Sequence, residues 1–437
     1  MTISNITRRL LLKTTASTLL SQVLPNIAWS DQNIPYKEFD ISQYNSVLLP
    51  RGHGQIRKLK GYYRSRYPSR DQSMQVMAFF NRNSGLYVQT KDPVGYISDW
   101  VILPQGKLRI YFYGPVPETI SIKIKPDYRE VATIYREWAL NQYWARKKSS
   151  KFDDLSVIAT ASSNDMNTMR SHIPKFLNNF NKPAGCWITQ WRKSPFDINY
   201  PDYRPKEPYN FSRFIQELHG NEIIPFPYIN GLLWDVNCKS PVYDPTKVIK
   251  NIDGTIPVYS PKLNHLKVAC PATHFWENII LNSRNNLRDL NGNLSRGVYY
   301  DVFAATLPRV CYAKNHNHEA GGSFVFQKAI RSILSKTKGV IMVEGNSEIY
   351  IDLVDSFLMH LYTDKQNIIP FWNEVYGTVS SSAGWIINKK VNPQQLLKEI
   401  LKSSEFGVSA MGGPWMTARI QEMLMKPEYA NTLSKIK

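Results

Sequence analysis

Two acidic residues, Asp301 and Glu344, each follow a short apolar run that begins at a glycine. The runs Gly297-Val-Tyr-Tyr and Gly339-Val-Ile-Met-Val are rich in β-branched or aromatic residues, as buried parallel strands are. In α/β barrels and open parallel sheets the active site lies at the carboxyl ends of the strands, so both acids are predicted to lie there. Two carboxyl groups across an anomeric carbon are the minimum for glycoside hydrolysis, one as nucleophile or base and the other as proton donor.

The surroundings of the two acids suggest a division of roles. Asp301 stands among Tyr299, Tyr300 and Phe303 and is the better candidate for the charged nucleophile. Glu344 ends an apolar strand, where burial favours the protonated carboxyl that a proton donor needs. The alternative is that both are salt-bridged carboxylates at strand ends, as occur in any barrel.

Residues 154–437 contain eight apolar runs, mostly separated by helical segments such as 323–338 and 392–401. This alternation predicts the α/β class and a (β/α)8 TIM barrel. The sixth strand competes with a continuous helix over 349–361, and the insert 235–296 is expected to form a loop that shapes the cleft. The predicted strands are 155–160, 184–190, 222–230, 297–301, 339–344, 356–361, 368–373 and 406–410.

The preceding part of the chain has a different pattern. Residues 31–127 alternate short apolar runs with Asn, Gly and Pro turn signals, which predicts an antiparallel, sandwich-like β-domain. This domain could contact sugar or serve as a structural lid on the barrel. Residues 128–153 are predicted to form a linker helix, because apolar and aromatic residues recur at helical spacing over 128–147.

The first 30 residues have the pattern of a twin-arginine signal peptide. Arg8 and Arg9 are preceded by Thr7 and followed by three leucines and Lys13, and Ala28-Trp29-Ser30 offers small residues at the cleavage positions. No later run reaches the roughly 20 apolar residues of a membrane-spanning helix. We therefore expect a periplasmic or secreted protein with no integral membrane segment in the mature chain.

The chain carries a formal net charge of +19 over 437 residues. The basic residues are scattered, and no nucleic-acid motif is present, so a nucleic-acid partner is not expected. The positive charge could reflect affinity for an anionic polysaccharide or could simply serve solubility, and both explanations are left open.

Further polar residues near the predicted strand ends are candidates for binding. Glu374 would end the seventh strand and is the second choice as a catalytic acid. His316 and His318 could bind a metal, but a third ligand is not visible and the four cysteines show no CxxC spacing, so neither a metal nor a cofactor is predicted. The disulfide pairing of Cys186, Cys238, Cys270 and Cys311 is left open.

Aromatic residues recur near the predicted strand ends, where their rings could pack on the C–H groups of an oligo- or polysaccharide. Any single one of them is more often a core residue. The residues proposed to bind substrate are Trp187, Trp191, Tyr228, Asn230, Trp234, Asp235, His316, His318, Asn346, Trp372, Asn373, Glu374 and Trp415.

Four motifs bring a resemblance to known proteins: PxPYINGLLWD, YYDVF, CYxxxHxHxxGG and VEGNSE. In this order they resemble an uncharacterised family of bacterial barrels thought to be glycosidases and, more distantly, the retaining endo-α-N-acetylgalactosaminidases and α-galactosidase-like enzymes. The resemblance covers residues 155–415. It implies that Asp301 is the nucleophile after strand four and Glu344 the acid after strand five of an exported glycoside hydrolase. A carbohydrate-binding barrel without catalysis is the competing hypothesis.

Overall fold

The computed structural model describes residues 34–146, 157–179, 184–359 and 367–429, without the side chains of 173–179, 421 and 424. The predicted leader, 1–30, lies outside these residues, as do the end of the linker prediction and the start of the first predicted barrel strand. Within the described segments, none of the helices combines the length and apolarity that crossing a membrane requires.

The N-terminal region forms two antiparallel sheets. Its strands are β1 (Tyr36–Asp40), β2 (Ser46–Leu49), β3 (Gln55–Lys58), β4 (Tyr63–Tyr67), β5 (Val76–Phe80), β6 (Gly85–Lys91), β7 (Ser98–Leu103), β8 (Lys107–Phe112) and β9 (Glu118–Ile124). One sheet has the order β1-β8-β7-β4 and the other the order β3-β2-β5-β6-β9. In β8 buried Leu108, Ile110 and Phe112 alternate with half-buried residues, which is the pattern of an antiparallel sheet with one face on the core.

The rest of the described chain alternates strands and helices. The strands are β10 (Val157–Ala161), β11 (Ala184–Ile188), β12 (Ile224–Asn230), β13 (Leu233–Asp235), β14 (Leu266–Val268), β15 (Gly297–Asp301), β16 (Val340–Glu344), β17 (Ser356–Leu358), β18 (Ser382–Ile386) and β19 (Val408–Gly412). Eight of these described strands close a parallel barrel in the order β10-β11-β12-β15-β16-β17-β18-β19, while β13 and β14 pair with each other. The predicted fold, a TIM barrel preceded by an antiparallel β-domain, is confirmed.

The helices link the domains and cover the barrel. They are α1 (Tyr128–Ala139), α2 (Met166–Asn179), α3 (Pro208–Gly220), α4 (His274–Asn285), α5 (Val325–Lys336), α6 (Phe371–Tyr376), α7 (Pro393–Glu405) and α8 (Pro414–Leu424), with 3-10 turns at Pro261–Leu263 and Glu348–Tyr350. Helix α7 begins with the capping box formed by Asn392 and Gln395 and has Pro393 at its first position. All of β12 is buried, as expected of a barrel strand between the core and the outer helices.

The predicted seventh strand, 368–373, is wrong. Phe371–Tyr376 forms α6, and the seventh barrel strand is Ser382–Ile386. The apolar residues before α6 contact the N-terminal domain instead, since the Ile369 N–H donates to the carbonyl of Gly54 at 3.0 Å. A short apolar run at a domain interface has the same composition as a buried strand, which is why the pattern misled.

Two other segments differ from prediction, and the predicted sixth strand is found instead of its alternative. The linker helix ends at Ala139, because the side chains of Asn141 and Gln142 donate to the carbonyls of its last turn, those of Glu137 at 2.6 Å and Trp138 at 2.9 Å. In the described part of the stretch 349–361, a 3-10 turn and β17 take the place of the alternative helix. The insert 235–296 is not only a loop, because it contains α4.

The N-terminal domain is joined to the barrel by a buried polar interface. Glu348, with no exposed surface, accepts hydrogen bonds at Oε2 from the hydroxyls of Tyr135 in α1, at 2.7 Å, and Tyr376 in α6, at 2.6 Å. Its N–H donates to the carbonyl of Ser73 in the N-terminal domain at 3.1 Å. Glu348 thus connects the N-terminal domain, the linker helix and the barrel.

Candidate active site

The carboxyl groups of Asp301 and Glu344 lie beside each other at one end of the barrel. Asp301 is the last residue of β15 and Glu344 is the last residue of β16. The residues just before them, Tyr300 and Val343, are partners in the parallel register. Asp301 is half-buried, and the Glu344 side chain is 14% exposed. The structure therefore brings the two predicted catalytic acids together.

Three side chains hold the Asp301 carboxyl in place. Oδ1 accepts a hydrogen bond from the Tyr299 hydroxyl at 2.9 Å. Oδ2 accepts bonds from the Tyr228 hydroxyl at 2.9 Å and from the Asn230 amide at 3.2 Å. Tyr200 is in hydrogen-bond contact with the Tyr228 hydroxyl at 2.7 Å, so a second tyrosine orients the first. Donors directed at both oxygens stabilise an ionised carboxylate in a fixed orientation.

The charge state of Asp301 depends on its neighbour. Burial, followed by the charge of Glu344 and a hydrogen bond with it, raises the pKa of Asp301 well above its usual range, while the bonds from Tyr228 and Tyr299 oppose this rise. The negative charge of a neighbouring acid makes an ionised Asp301 less favourable, and the tyrosine donors partly offset this effect.

Glu344 is held by the backbone of the neighbouring strand and by the N-terminal domain. Its Oε2 accepts a hydrogen bond from the Val302 N–H at 3.1 Å, and its Oε1 lies 3.8 Å from Nη1 of Arg70. Val302 has φ of 64°, in the left-handed region that a β-branched residue rarely adopts. Strain of this kind is concentrated at functional sites, and here it directs an N–H toward an acid.

Aromatic rings line the space around the acids. Half-buried Trp187 meets the Tyr299 ring edge-on, with centroids 5.3 Å apart. Phe196, which is 36% exposed, meets the Tyr228 ring edge-on at 4.9 Å. Burial, followed by the charges of Glu344 and Asp301, raises the pKa of the half-buried Tyr259. Such rings can pack against the C–H faces of a sugar.

The structure places several of the predicted binding residues in the core. Trp191 donates from Nε1 to the carbonyl of Tyr228 at 3.1 Å and stacks on Phe211. Trp234 and Trp372 pack among other aromatic rings. All three tryptophans are at most 2% exposed, so no ring face is open to a sugar. This corrects the expectation for them: a tryptophan next to a strand end can turn inward as readily as outward.

Two further candidates for substrate binding, Asp235 and Asn346, are buried and make structural hydrogen bonds. Asp235 accepts hydrogen bonds from the N–H groups of Asn199 at 2.7 Å and Asn237 at 2.8 Å, so its carboxylate closes a loop. Asn346 has no exposed surface, and its amide donates to the carbonyl of Gly52 in the N-terminal domain at 2.8 Å.

The remaining candidates lie on two helices. Glu374 and Asn373 are on α6, and the Glu374 carboxylate lies 3.8 Å from Nε of Arg129 in the linker helix. The expected role of Glu374 as an acid at a strand end therefore does not hold. Trp415 is half-buried at the start of α8, with the guanidinium of Arg419 5.7 Å from its ring centre.

His316 and His318 lie next to two cysteines. Their ring nitrogens and the sulfurs of Cys270 and Cys311 all lie within 4.8 Å of one another. Sequence reasoning saw no third metal ligand, and the structure brings two candidates to the histidines: Cys311, five residues before His316 in the motif CYxxxHxHxxGG, and Cys270, which is distant in the sequence.

Sequence reasoning missed Arg70 as a neighbour of Glu344 and Phe196 as a contact of Tyr228. Arg70 belongs to the N-terminal domain, which the sequence does not connect to the barrel mouth. Tyr299, two residues before Asp301, could have been found, because alternate residues of a strand point to the same face.

Fold and site together define a TIM barrel with a pair of acids at the carboxyl ends of its fourth and fifth strands. Residues 113–387, well over half of the chain, match the family DUF6259, a domain of unknown function, and the chain belongs to this family. The matched segment includes both Asp301 and Glu344.

Two curated relatives carry names that refer to glycosidases. A protein of Bacteroides thetaiotaomicron named "Putative glycoside hydrolase" is 28% identical in an alignment 352 residues long, gaps included, that covers 71% of this chain and 51% of that protein. A protein of Monosiga brevicollis named "Putative glycoside hydrolase 22789" is 22% identical in an alignment 451 residues long, gaps included, that covers 84% of this chain and 37% of that protein. The chain spans about half or less of the length of these relatives.

Solved structures show the same fold at low sequence identity. An α-N-acetylgalactosaminidase from Bifidobacterium bifidum superposes with a TM-score of 0.67 at 12% identity, over 91% of this chain and 75% of that one. An α-galactosidase from Geobacillus stearothermophilus superposes with a TM-score of 0.59 at 10% identity, over 92% of this chain and 63% of that one. These similarities concern the fold.

Proposed function

We propose that this protein is a retaining glycoside hydrolase that cleaves O-glycosyl bonds, with Asp301 as nucleophile and Glu344 as acid and base. The observation that carries the proposal is the pair itself: an aspartate oriented by three donors beside a glutamate on the adjacent strand. The names of the curated relatives and the fold shared with two α-glycosidases support it.

The proposed reaction has two steps. In the first, Asp301 forms a bond to the anomeric carbon while Glu344 gives its proton to the departing oxygen. Oδ1 of Asp301 is the better placed for attack, because it accepts one hydrogen bond where Oδ2 accepts two. In the second step Glu344 takes a proton from water, which attacks the anomeric carbon and releases Asp301.

The surroundings of Glu344 suit its change from proton donor in the first step to base in the second. Formation of the glycosyl ester removes the negative charge of Asp301 from beside Glu344. Arg70, whose Nη1 lies 3.8 Å from Oε1 of Glu344, and the Val302 N–H then favour the ionised glutamate that acts as base.

Product stereochemistry tests the proposal. We expect hydrolysis of an aryl α-galactoside or aryl α-N-acetylgalactosaminide, with NMR showing the α-anomer of the free sugar first. A 2-deoxy-2-fluoro glycosyl fluoride of the same sugar should add its glycosyl mass to the peptide that contains Asp301. Release of the β-anomer first would contradict a retaining mechanism. Glycan binding without any product across a broad polysaccharide screen would favour a binding barrel instead.

We also propose that the chain is exported by the twin-arginine route to the periplasm or the exterior. The support is the pair Arg8 and Arg9 with its flanking residues. Replacing both arginines with lysine should retain the protein in the cytoplasm of an expressing bacterium, as fractionation and immunoblotting would show. Unchanged export of this variant would contradict the proposed route.

A further inference from the structure

Four side chains with metal-binding atoms converge between two loops of the barrel. Cys270 lies in the loop that follows the third barrel strand, while Cys311, His316 and His318 lie in the loop that follows the fourth. The two cysteines and His316 are buried, and His318 is half-buried. These residues are separate from the proposed catalytic pair, and the proposed reaction does not use them.

The spacing of their ligand atoms matches a tetrahedron around a metal. Sγ of Cys270 lies 3.3 Å from Nε2 of His318, Sγ of Cys311 lies 3.5 Å from Nδ1 of His316, and the two ring nitrogens are 3.3 Å apart. A tetrahedral zinc ion with its usual Zn–S and Zn–N bond lengths keeps neighbouring ligand atoms about 3.3 to 3.8 Å apart. The observed separations therefore leave room for Zn²⁺ at the centre of the cluster.

Hydrogen bonds to the outer nitrogens prepare both histidines as ligands. Nε2 of His316 lies 2.7 Å from the carbonyl of Thr246, and Nδ1 of His318 lies 2.9 Å from the carbonyl of Glu319. A carbonyl only accepts, so these nitrogens carry the ring protons, and the other nitrogen of each ring presents a lone pair to the cluster. Outer hydrogen bonds of this kind fix the tautomer and orientation of metal-binding histidines.

We propose that Cys270, Cys311, His316 and His318 bind one Zn²⁺ ion that joins the loops after the third and fourth barrel strands. A set of two sulfurs and two nitrogens is typical of structural zinc, and four protein ligands complete the tetrahedron. Two Zn–S and two Zn–N bonds form, the two thiols release their protons to solvent, and no group is oxidised or reduced.

Another contact joins the same two loops, which gives the ion a structural role. Arg309, two residues before Cys311, donates from its guanidinium to the carbonyl of Val258 at 3.5 Å. Val258 belongs to the loop that follows the third barrel strand, as Cys270 does. Zn²⁺ held by Cys311 and Cys270 adds a second link between these loops.

Metal analysis of the full chain, purified without chelator, tests the proposal directly. We expect one zinc per chain and, after denaturation with chelator but without reductant, four titratable thiols. Removal of the zinc should lower Tm, and addition of Zn²⁺ should restore it. Replacement by Co²⁺ should give the thiolate charge-transfer and visible bands of a tetrahedral cobalt site. None of these readouts depends on catalytic turnover, so they stand apart from the test of the hydrolase.

Variants with a matched control assign the ligands. Cys270→Ser and His318→Ala should weaken Zn²⁺ binding by more than about 10-fold, since loss of even an outer partner has that effect. Cys238→Ser is the control, because Cys238 is a buried cysteine of the same long insert whose sulfur contacts the carbonyl of Asn199 at 3.6 Å. His318 is half-buried, so its variant keeps the test valid if Cys270→Ser fails to fold.

Three results would overturn the proposal. One is a protein that contains no zinc and takes up none on dialysis against Zn²⁺. Another is the titration of only two thiols before reduction, which would show a disulfide between Cys270 and Cys311. The third is unchanged zinc affinity in both ligand variants.

Discussion

Two carboxyl groups of this protein have similar partners but different surroundings. Asp301 accepts hydrogen bonds from two tyrosine hydroxyls and an amide at the barrel mouth. Glu348 accepts hydrogen bonds from the hydroxyls of Tyr135 and Tyr376 at the domain interface. Asp301 ends one barrel strand and Glu348 lies shortly after the next, and burial is the largest cause of the raised pKa of both. By hydrogen bonding alone, either could be the nucleophile.

The neighbours of the two acids separate their roles. Asp301 faces a second acid, Glu344, and half-exposed aromatic rings. Glu348 has no exposed surface and is covered by the N-terminal domain, the linker helix and α6. A carboxyl held by tyrosines is therefore not by itself a catalytic sign. A neighbouring acid and access for a substrate are what distinguish the proposed nucleophile from an interface residue.

Replacement of Asp301 should have the largest effect on activity. Asp301→Asn keeps the shape and most hydrogen bonds but cannot form the glycosyl ester, so kcat should fall by about 10⁴-fold, the upper range for a group that acts in the transition state. Initial rates on the aryl glycoside, with Tm as a check on folding, measure this effect. The matched control is Glu348→Gln, which should retain activity. Equal losses of kcat in the two variants would contradict the proposal that only Asp301 is catalytic.

The pH dependence of stability should report on Glu348. Burial raises the pKa of Glu348 to about 7, against 4.5 for the unfolded chain. The native state then binds more protons between these values, so the stabilisation is complete below pH 4.5 and is lost as the pH rises through 7. The loss is roughly 3 kcal/mol at most, from about 1.4 kcal/mol for each pKa unit.

Urea unfolding of the wild type and Glu348→Gln at several pH values tests this expectation. The free energy of unfolding of Glu348→Gln should lose the contribution of Glu348, while Asp301→Asn should keep that contribution and lose only the separate one from its own raised pKa. A wild-type stability that rises from pH 4.5 to 7 would contradict the assignment.

Removing one tyrosine hydroxyl from each cluster should separate activity from stability. Tyr299→Phe deletes one donor to Asp301, a bond to a charged group that contributes about 1.5 to 3 kcal/mol, so kcat/KM should fall about 10- to 100-fold. Tyr376→Phe deletes the 2.6 Å bond to Glu348 and should lower the free energy of unfolding without changing kcat/KM. Rates and urea unfolding on both variants measure the contrast. It fails if Tyr376→Phe loses as much activity as Tyr299→Phe.

Relief of backbone strain beside Asp301 should have the smallest effect. Val302→Gly removes a left-handed conformation that costs about 1 to 3 kcal/mol, but it adds chain entropy to the unfolded state worth about 0.5 to 1 kcal/mol. The loss of the buried valine side chain, worth about 1.5 to 3 kcal/mol, offsets the relief of strain. We therefore expect a nearly unchanged stability and a severalfold lower kcat, because the N–H that holds Glu344 becomes less fixed. Thermal unfolding and initial rates check both expectations, and a markedly higher Tm would show that the strain outweighs the packing of the valine side chain.

The sequence predicted what depends on local patterns. The acids Asp301 and Glu344 could be found because each ends an apolar run with strand composition. Periodicity also identified seven of the barrel strands and helix α7. Residues 368–373 failed because an apolar run at a domain interface has the same composition as a strand.

The sequence could not predict contacts between distant segments. Arg70 reaches Glu344 from another domain, and Cys270 meets His318 only after two loops pack together. The tryptophans show a different limit, because the sequence places Trp187 and Trp234 near strand ends but does not tell which ring faces the cleft. These choices are made by tertiary packing.

The contact between Arg70 and Glu344 has a consequence for how relatives are studied. The family match begins at residue 113, after Arg70, so a gene fragment cut at that boundary would encode both acids without the cation beside one of them. An inactive fragment of that kind would say little about the family. Surveys of activity among relatives are best made with the β-domain and the barrel expressed as a single polypeptide.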